Sequence, residues 1–266
     1  MIMPATTDQE RFDFTQNLIV EAGELALQYF ANVSELSITS KGAQDMVSEA
    51  DLAVEALIRE RLMTAYPGDA YLGEETGHAT GSGDSGIWVV DPIDGTQPFL
   101  SGLSSWCISI AYVQGNDMLL GMVNNPVAHQ LFIGGVGRAA ELNGRPIAPR
   151  EAQSLSDGLT FLGYNPRLRP EQVVPVLDRL LRAGGMFVRS GSGALGLCDV
   201  ACGRLIGYVE AHINSWDCLG ALAVCKSAGA RVSDYLSHDG LLKGGPIVAG
   251  SPQVYDELVA VLGEAG

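Results

Sequence analysis

Residues 87–96 read Ile-Trp-Val-Val-Asp-Pro-Ile-Asp-Gly-Thr, an apolar strand-like run that stops at Asp91 and is followed at once by Asp94, Gly95 and Thr96. A run of that kind reads as a buried strand, so the chain must build a core around it and deliver two carboxylates to the strand's end. Pro92 sets its own φ near that of a turn, and Gly95 permits backbone geometry that other residues resist. The acids therefore sit on a stiff corner. Two fixed carboxylates at the end of a strand are the beginnings of a site for a hard cation.

The chain has the means to bury such a strand. Its 266 residues are 47% hydrophobic and 18% charged, enough for one large domain or two halves sharing an interface. No run of about 18 apolar residues occurs, and the first residues lack the basic-then-apolar layout of a secretory signal, so a cytoplasmic protein that does not enter membranes is expected. Five cysteines, Cys107, Cys198, Cys202, Cys218 and Cys225, are scattered singly in apolar contexts suited to reduced core thiols. Cys198 and Cys202 share a helix face, but no His or Cys follows at zinc spacing. With 16 basic against 31 acidic residues the formal charge is −15, which argues against a nucleic-acid partner. An acidic chain still binds a small phosphate if metal ions supply the positive charge.

Periodicity divides the chain. Phe14, Leu18, Ala22, Leu25, Ala26 and Tyr29 form one apolar stripe and predict a helix over 9–30. Ser48-Glu49-Ala50-Asp51 fits a capping box for a second helix, carried on by Val54, Leu57, Ile58 and Leu62 until Pro67-Gly68 ends it. Segments 105–113, 118–124 and 130–134 read as successive strands, with Gly115-Asn116-Asp117 marking a hairpin and Asn143-Gly144 another tight turn. Residues 81–86 form a small Gly/Ser cluster and read as a loop. Beyond residue 150 the order becomes strand 159–163, helix 170–183, strand 186–189, helix 192–202, strand 205–210, helix 216–229, a strand near 246–249 and a last helix. Such alternation layers helices on a sheet. Residues 1–152 are thus expected to form an α+β domain with an antiparallel meander, and residues 153–266 an α/β domain.

Further acids fall at element ends. Glu74 and Glu75 follow Leu72-Gly73, and Asp217 lies in the first turn of the helix opened by Ser215-Trp216. Glu74, Asp91, Asp94 and Asp217 would make a metal site if those ends face one crevice. Bunched carboxylates repel one another and take up protons, whereas two or three Mg²⁺ ions neutralise them and add Lewis acidity. Each acid also has a plain reading. Asp51 and Asp217 would favour the positive ends of their helices, worth about 0.3–1 kcal/mol, Glu74-Glu75 would be a solvated loop pair, and Asp91 to Gly95 merely a turn.

The ordered set decides between these readings. Gly73-Glu74-Glu75-Thr76, Asp91-Pro92-Ile93-Asp94-Gly95-Thr96 and Trp216-Asp217 with the small residues Gly220-Ala221 and Ala228-Gly229 resemble the signatures of the inositol monophosphatase family. Lys41 with Asp45-Met46-Val47-Ser48 and Asp51 resembles the family's N-terminal loop, Leu142-Asn143-Gly144 its middle turn, and Arg189-Ser190-Gly191-Ser192 its substrate-side segment. The resemblance covers essentially the whole chain. It implies a mixed α and β fold, a layered α-β-α-β-α sandwich of the sugar-phosphatase type.

It also implies roles. Glu74, Asp91, Asp94, Asp217 and the carbonyl of Ile93 would bind two or three Mg²⁺ ions, with Asp91 bridging two. Thr96, oriented by Asp51, would position and help deprotonate the attacking water, with Glu74 completing the catalytic group. Gly95 and Thr96 would hold the phosphate on exposed N–H groups. Glu210, Ser192, Gly193, Asp94 and Asp217 would contact the substrate. The chain departs from the family at Gln97-Pro98-Phe99, where Thr-Asn-Phe is usual, and at Lys226-Ser227-Ala228-Gly229-Ala230, where Glu-Ala-Gly-Gly is typical. No departure removes a ligand. The expected activity is Mg²⁺-dependent hydrolysis of a small phosphorylated metabolite, first an inositol monophosphate, by a lithium-sensitive homodimer. Histidinol phosphate, a sugar bisphosphate or an adenosine bisphosphate are the alternatives within the class. Outside it stand a regulatory binding protein that has kept the fold and a protein that stores or is stabilised by metal.

Overall fold

A computed structural model describes residues 8–42, 45–79, 86–165 and 168–263. The elements run α1 (Asp8–Phe30), β1 (Ile38–Gly42), β2 (Asp45–Ser48), α2 (Glu49–Ala65), β3 (Ala70–Gly73), β4 (Gly77–Ala79), β5 (Ile87–Asp94), α3 (Thr96–Leu100), β6 (Cys107–Gln114), β7 (Asp117–Asn125), β8 (Gln130–Gly134), β9 (Glu141–Leu142) and β10 (Arg145–Pro146). They continue with β11 (Leu159–Leu162), α4 (Pro170–Arg182), β12 (Met186–Val188), α5 (Gly193–Ala201), β13 (Gly207–Ile213), α6 (Ser215–Ala228), β14 (Arg231–Val232), α7 (Gly240–Lys243), β15 (Gly245–Gly250) and α8 (Tyr255–Leu262).

Among the described residues the strands form an eight-stranded sheet in the order β10-β9-β8-β7-β6-β5-β3-β4, a five-stranded sheet in the order β12-β11-β13-β15-β14, and the β1-β2 hairpin. The large sheet is an antiparallel meander except that β3 runs parallel to β5. Its central strands are apolar on both sides because both sides are covered. Trp88 and Val90 of β5, with Ile108 and Ile110 of β6, pack under Leu18, Ala22, Val54 and Ile58 of α1 and α2. Val89, Cys107, Ala111 and Val123 point the other way, onto Leu197, Cys198, Leu219 and Leu222 of α5 and α6.

The same two helices rest on Phe161, Tyr208 and Ile247 of the smaller sheet, whose far side meets Val176, Leu180, Leu258 and Val261 of α4 and α8. Five layers result, α-β-α-β-α, as expected. The second half is α/β at β11, β12 and β13, which pair in parallel, while β15 runs antiparallel between β13 and β14.

The predicted hairpins occur where expected. Gln114 pairs with Asp117 across Gly115-Asn116, and Leu142 pairs with Arg145 across Asn143-Gly144, whose φ values are 51° and 73°. The β1-β2 and β3-β4 pairs and the two-residue β14 are additions, too short to show a period. The Gly/Ser cluster lies outside the described residues except for Gly86. One expectation is corrected. The strand through Asp91 does not stop there but runs to Asp94, because the register against β6 shifts between Asp91, opposite Ser109, and Asp94, opposite Cys107. A bulge absorbs the residue that Pro92 prevents from joining the ladder.

Candidate active site

The bulge aims the two acids differently. Asp91 is fully buried, and its Oδ1 accepts from the Ile93 N–H at 3.0 Å while its Oδ2 has no hydrogen-bond partner. Glu74 lies in the turn between β3 and β4, with its N–H donating to the Val90 carbonyl of β5 at 3.2 Å. Asp217 enters from the other sheet's side in the first turn of α6. Carboxylate oxygens of Glu74, Asp91 and Asp217 lie within 4.8 Å of one another. Burial first, then the charges of Glu74, Asp94 and Asp217, hold the Asp91 carboxyl well above its ordinary 3.8.

Close packing brings Asp217 to that place. A Cβ on Gly121 of β7 would overlap the Gly220 carbonyl and the Ala223 side chain of α6, and one on Gly220 would stand 2.6 Å from the Ser109 hydroxyl. Glycine on both surfaces lets the helix axis approach the sheet that holds Asp91. Asp217 also closes a capping box, accepting from the Asn214 N–H at 3.2 Å and the Asn214 side-chain amide at 3.1 Å.

Asp94 stands outside the three-residue group. Its Oδ2 accepts from the Ser192 hydroxyl at 2.6 Å and the Ala194 N–H at 2.7 Å, and its Oδ1 from the Gly193 N–H at 3.3 Å. Ser192 is buried and also caps α5 through the Leu195 N–H at 3.1 Å. Ser192 therefore anchors Asp94, whereas Gly193 lines the cleft. Burial and the charge of Asp217 raise the Asp94 carboxyl to about 7 against the pull of those donors.

Gly95 links the strand to α3 in the left-handed region, φ 99°, with a Cβ barred by the Ser105 carbonyl at 2.9 Å. Phe99 anchors the short helix against Phe30 and Trp106 at ring distances of 5.3 and 4.9 Å. The Thr96 hydroxyl then lies 3.4 Å from Asp51 Oδ1 and 3.3 Å from the Ile93 carbonyl. Asp51 is buried and serves twice, since its Oδ2 accepts the Ser48 N–H and hydroxyl at 2.8 and 2.6 Å at the start of α2. Asp51 and Asp217 thus lie in the first turns of their helices and at the same time reach Thr96 and the acid cluster. The side chains of Lys41 and Asp45 lie outside the described residues.

These groups open into a cleft of about 490 Å³ between the two sheets, lined by Glu74, Asp94 to Pro98, Gly193, Glu210 and Asp217 among others. Glu210 is buried on β13, where the Tyr208 hydroxyl donates to its Oε2. Burial raises its carboxyl to about 8, opposed by that hydrogen bond and assisted by the charges of Asp217 and Asp94. Gln97 and Pro98, at the departure from the family pattern, line the cleft while Phe99 is buried.

The donor set fits a hard divalent cation. An orphaned buried carboxylate oxygen beside two further acids is costly until a cation joins it. Among the described residues this is the one candidate metal group, and it contains no cysteine.

Sequence reasoning passed over Glu55, a buried residue of α2 whose carboxylate holds residues 75 and 76. A lone Glu in a helix facing a turn some 20 positions on leaves no local signal.

Comparisons with known proteins follow the same outline. The sequence profile of the inositol monophosphatase family matches residues 8–265. A relative from Haemophilus influenzae, "Nus factor SuhB", is 33% identical over 244 residues, 90% of this chain and 90% of that one. The crystal structure of extragenic suppressor protein suhB from Bartonella henselae superposes with a TM-score of 0.87 at 26% identity, covering 95% of this chain and 98% of that one. Inositol monophosphatase from Anabaena (Nostoc) gives 0.82 at 28% identity, with 96% of each chain covered.

Proposed function

The chain belongs to the inositol monophosphatase family, and from that premise we propose that it is a Mg²⁺-dependent phosphatase of a small phosphate monoester, first an inositol monophosphate. The observation that carries the reading is the buried, unpartnered Asp91 Oδ2 beside Glu74 and Asp217. Glu74, Asp91, Asp217, Asp94 through its cleft side, and the Ile93 carbonyl would hold the ions. Bound there, Mg²⁺ supplies positive charge to the phosphate and acidifies water.

The chain's own groups do the rest. Thr96 holds a hydroxyl between Asp51 and the cleft, so it accepts a proton from water as Asp51 accepts its own. Amides of Gly95 and Thr96 face the phosphate. Gly193, Asp94, Asp217 and Glu210 meet the alcohol portion, with Ser192 supporting Asp94 from behind. Residues 1–152 would contribute most of the metal ligands and the water side, and residues 153–266 Asp217 and most of the alcohol side.

Measuring phosphate release from inositol 1-phosphate, histidinol phosphate, fructose 1,6-bisphosphate and adenosine 3′,5′-bisphosphate tests this, with and without Mg²⁺. Release that depends on Mg²⁺ and disappears in Asp91→Asn is the expected result. Equal low release in every tube overturns it. Inhibition by Li⁺ and a homodimer in sedimentation belong to the same reading.

The name of the Haemophilus relative, Nus factor, supports a second reading in which the fold works through a partner. A net charge of −15 sets the surface against direct contact with a phosphate backbone, so that partner would be a protein. Among the described residues no helix is long and apolar enough to cross a membrane.

A further inference from the structure

The turn that carries Glu74 is held from beneath by a side chain that the proposed chemistry leaves unused. Glu55 of α2 has no exposed surface. Its Oε2 accepts from the Glu75 N–H at 2.8 Å, and its Oε1 accepts from the Thr76 N–H at 3.0 Å and from the Thr76 hydroxyl. Three donors from two consecutive residues thus converge on one carboxylate. On the near side of the turn, Gly73 lies directly over that carboxylate. A Cβ there would overlap Glu55 Oε1 and stand 2.8 Å from Tyr71 Cε1.

Residue 74 is consequently fixed from both directions. Its own N–H is tied to Val90 of β5, one residue before Asp91, while the next two residues are tied to α2. A carboxylate suits this place, because each of its oxygens accepts from a backbone N–H of the turn. Burying a carboxyl is costly unless donors meet its oxygens, and both oxygens of Glu55 have them.

We propose that Glu55 is a positioning residue, which acts through the Glu75-Thr76 backbone to set the Glu74 carboxylate against Asp91 and so governs metal affinity. This rests on the reading of Glu74 as a metal ligand. Gln at position 55 would turn an NH₂ toward a backbone donor, tilt the turn and withdraw Glu74 without changing any ligand. Partners one shell removed from a metal are worth about 10–100-fold in affinity.

The test uses Mn²⁺ as the probe, with free ion counted by electron paramagnetic resonance at a temperature well below unfolding. Glu55→Gln is expected to weaken binding about 10–100-fold. Thr76→Val, which deletes one of the three bonds, is expected to weaken it less, and Thr76→Ser to restore it. A purely structural role predicts otherwise: a folded Glu55→Gln protein with a lower thermal midpoint but Mn²⁺ affinity within about twofold of the parent would overturn the proposal. If Glu55→Gln does not fold, Thr76→Val decides, and unchanged affinity there overturns it equally. Glu74→Gln is the reference. Should that variant bind Mn²⁺ like the parent, the ligand reading of Glu74 fails and this proposal falls with it. Loss in Glu74→Gln with none in the other variants defeats the positioning role alone.

Discussion

The smallest unit with a distinct job is the Thr96 hydroxyl, poised between Asp51 Oδ1 and the Ile93 carbonyl. Thr96→Ala removes the proposed proton carrier and no carboxylate. It should lower turnover by about two orders of magnitude or more while leaving Mn²⁺ affinity near that of the parent, the range for losing a placed proton-transfer group. Steady-state kinetics beside a metal titration separates the two, and undiminished turnover would assign water activation elsewhere. At this scale legibility followed sequence distance. Asp91, Ile93, Asp94, Gly95 and Thr96 are neighbours, so their proposed joint purpose is readable from one short stretch. Glu55 meets residues 75 and 76, and Ser192 meets Asp94 at 98 positions' remove, through contacts that exist only after folding. For the same reason the bonds of the Ser192 hydroxyl to Asp94 and to the cap of α5 have no local signal in the sequence.

Among elements, α6 controls whether a site exists, since Asp217 travels with it. Gly121 and Gly220 set how near it comes to the sheet. Gly121→Ala adds one methyl where the Gly220 carbonyl and Ala223 already lie. Overpacking of that kind costs about 1–3 kcal/mol. The expected result is a lower thermal midpoint together with weaker metal binding, because the helix must lift and take Asp217 with it. A variant with both properties unchanged would show that the contact does not set the helix height. The helices α1 and α2 were legible from apolar spacing, α4, α5 and α6 from the alternation of the second half, and the hairpins from Gly115 and Asn143-Gly144. Strand ends were less so. Pro92 reads as a stop because it lacks an N–H, and only the bulge opposite Cys107 and Ser109 explains how the strand passes it.

Taken whole, the molecule encloses more acid than its dry interior tolerates. Glu210 is held up to about 8 and Asp94 to about 7, from ordinary values of 4.5 and 3.8. Between each pair of values the folded chain binds a proton that the unfolded chain does not. Their contribution to stability is therefore full below the ordinary values and lost as pH rises through about 7 to 8. In chelator, the thermal midpoint should fall between about pH 5 and about pH 9, less steeply in Glu210→Gln. A midpoint that climbs over that interval would contradict the assignment. The switch from meander to alternation was legible from the change of texture near residue 150 and the layer order from the family resemblance, but not the meeting of the two sheets at one cleft, which depends on α5 and α6 being shared. That sharing has a consequence for synthesis. Asp51, Glu74 and Asp91 leave the ribosome well before Asp217, and a chain emerging at about 5–20 residues per second spends roughly 6–25 seconds with the early acids made and the helix that completes them still missing. Function is thus a late acquisition of the nascent polypeptide, and premature termination anywhere before residue 217 would leave a fragment holding acids with nothing to assemble around.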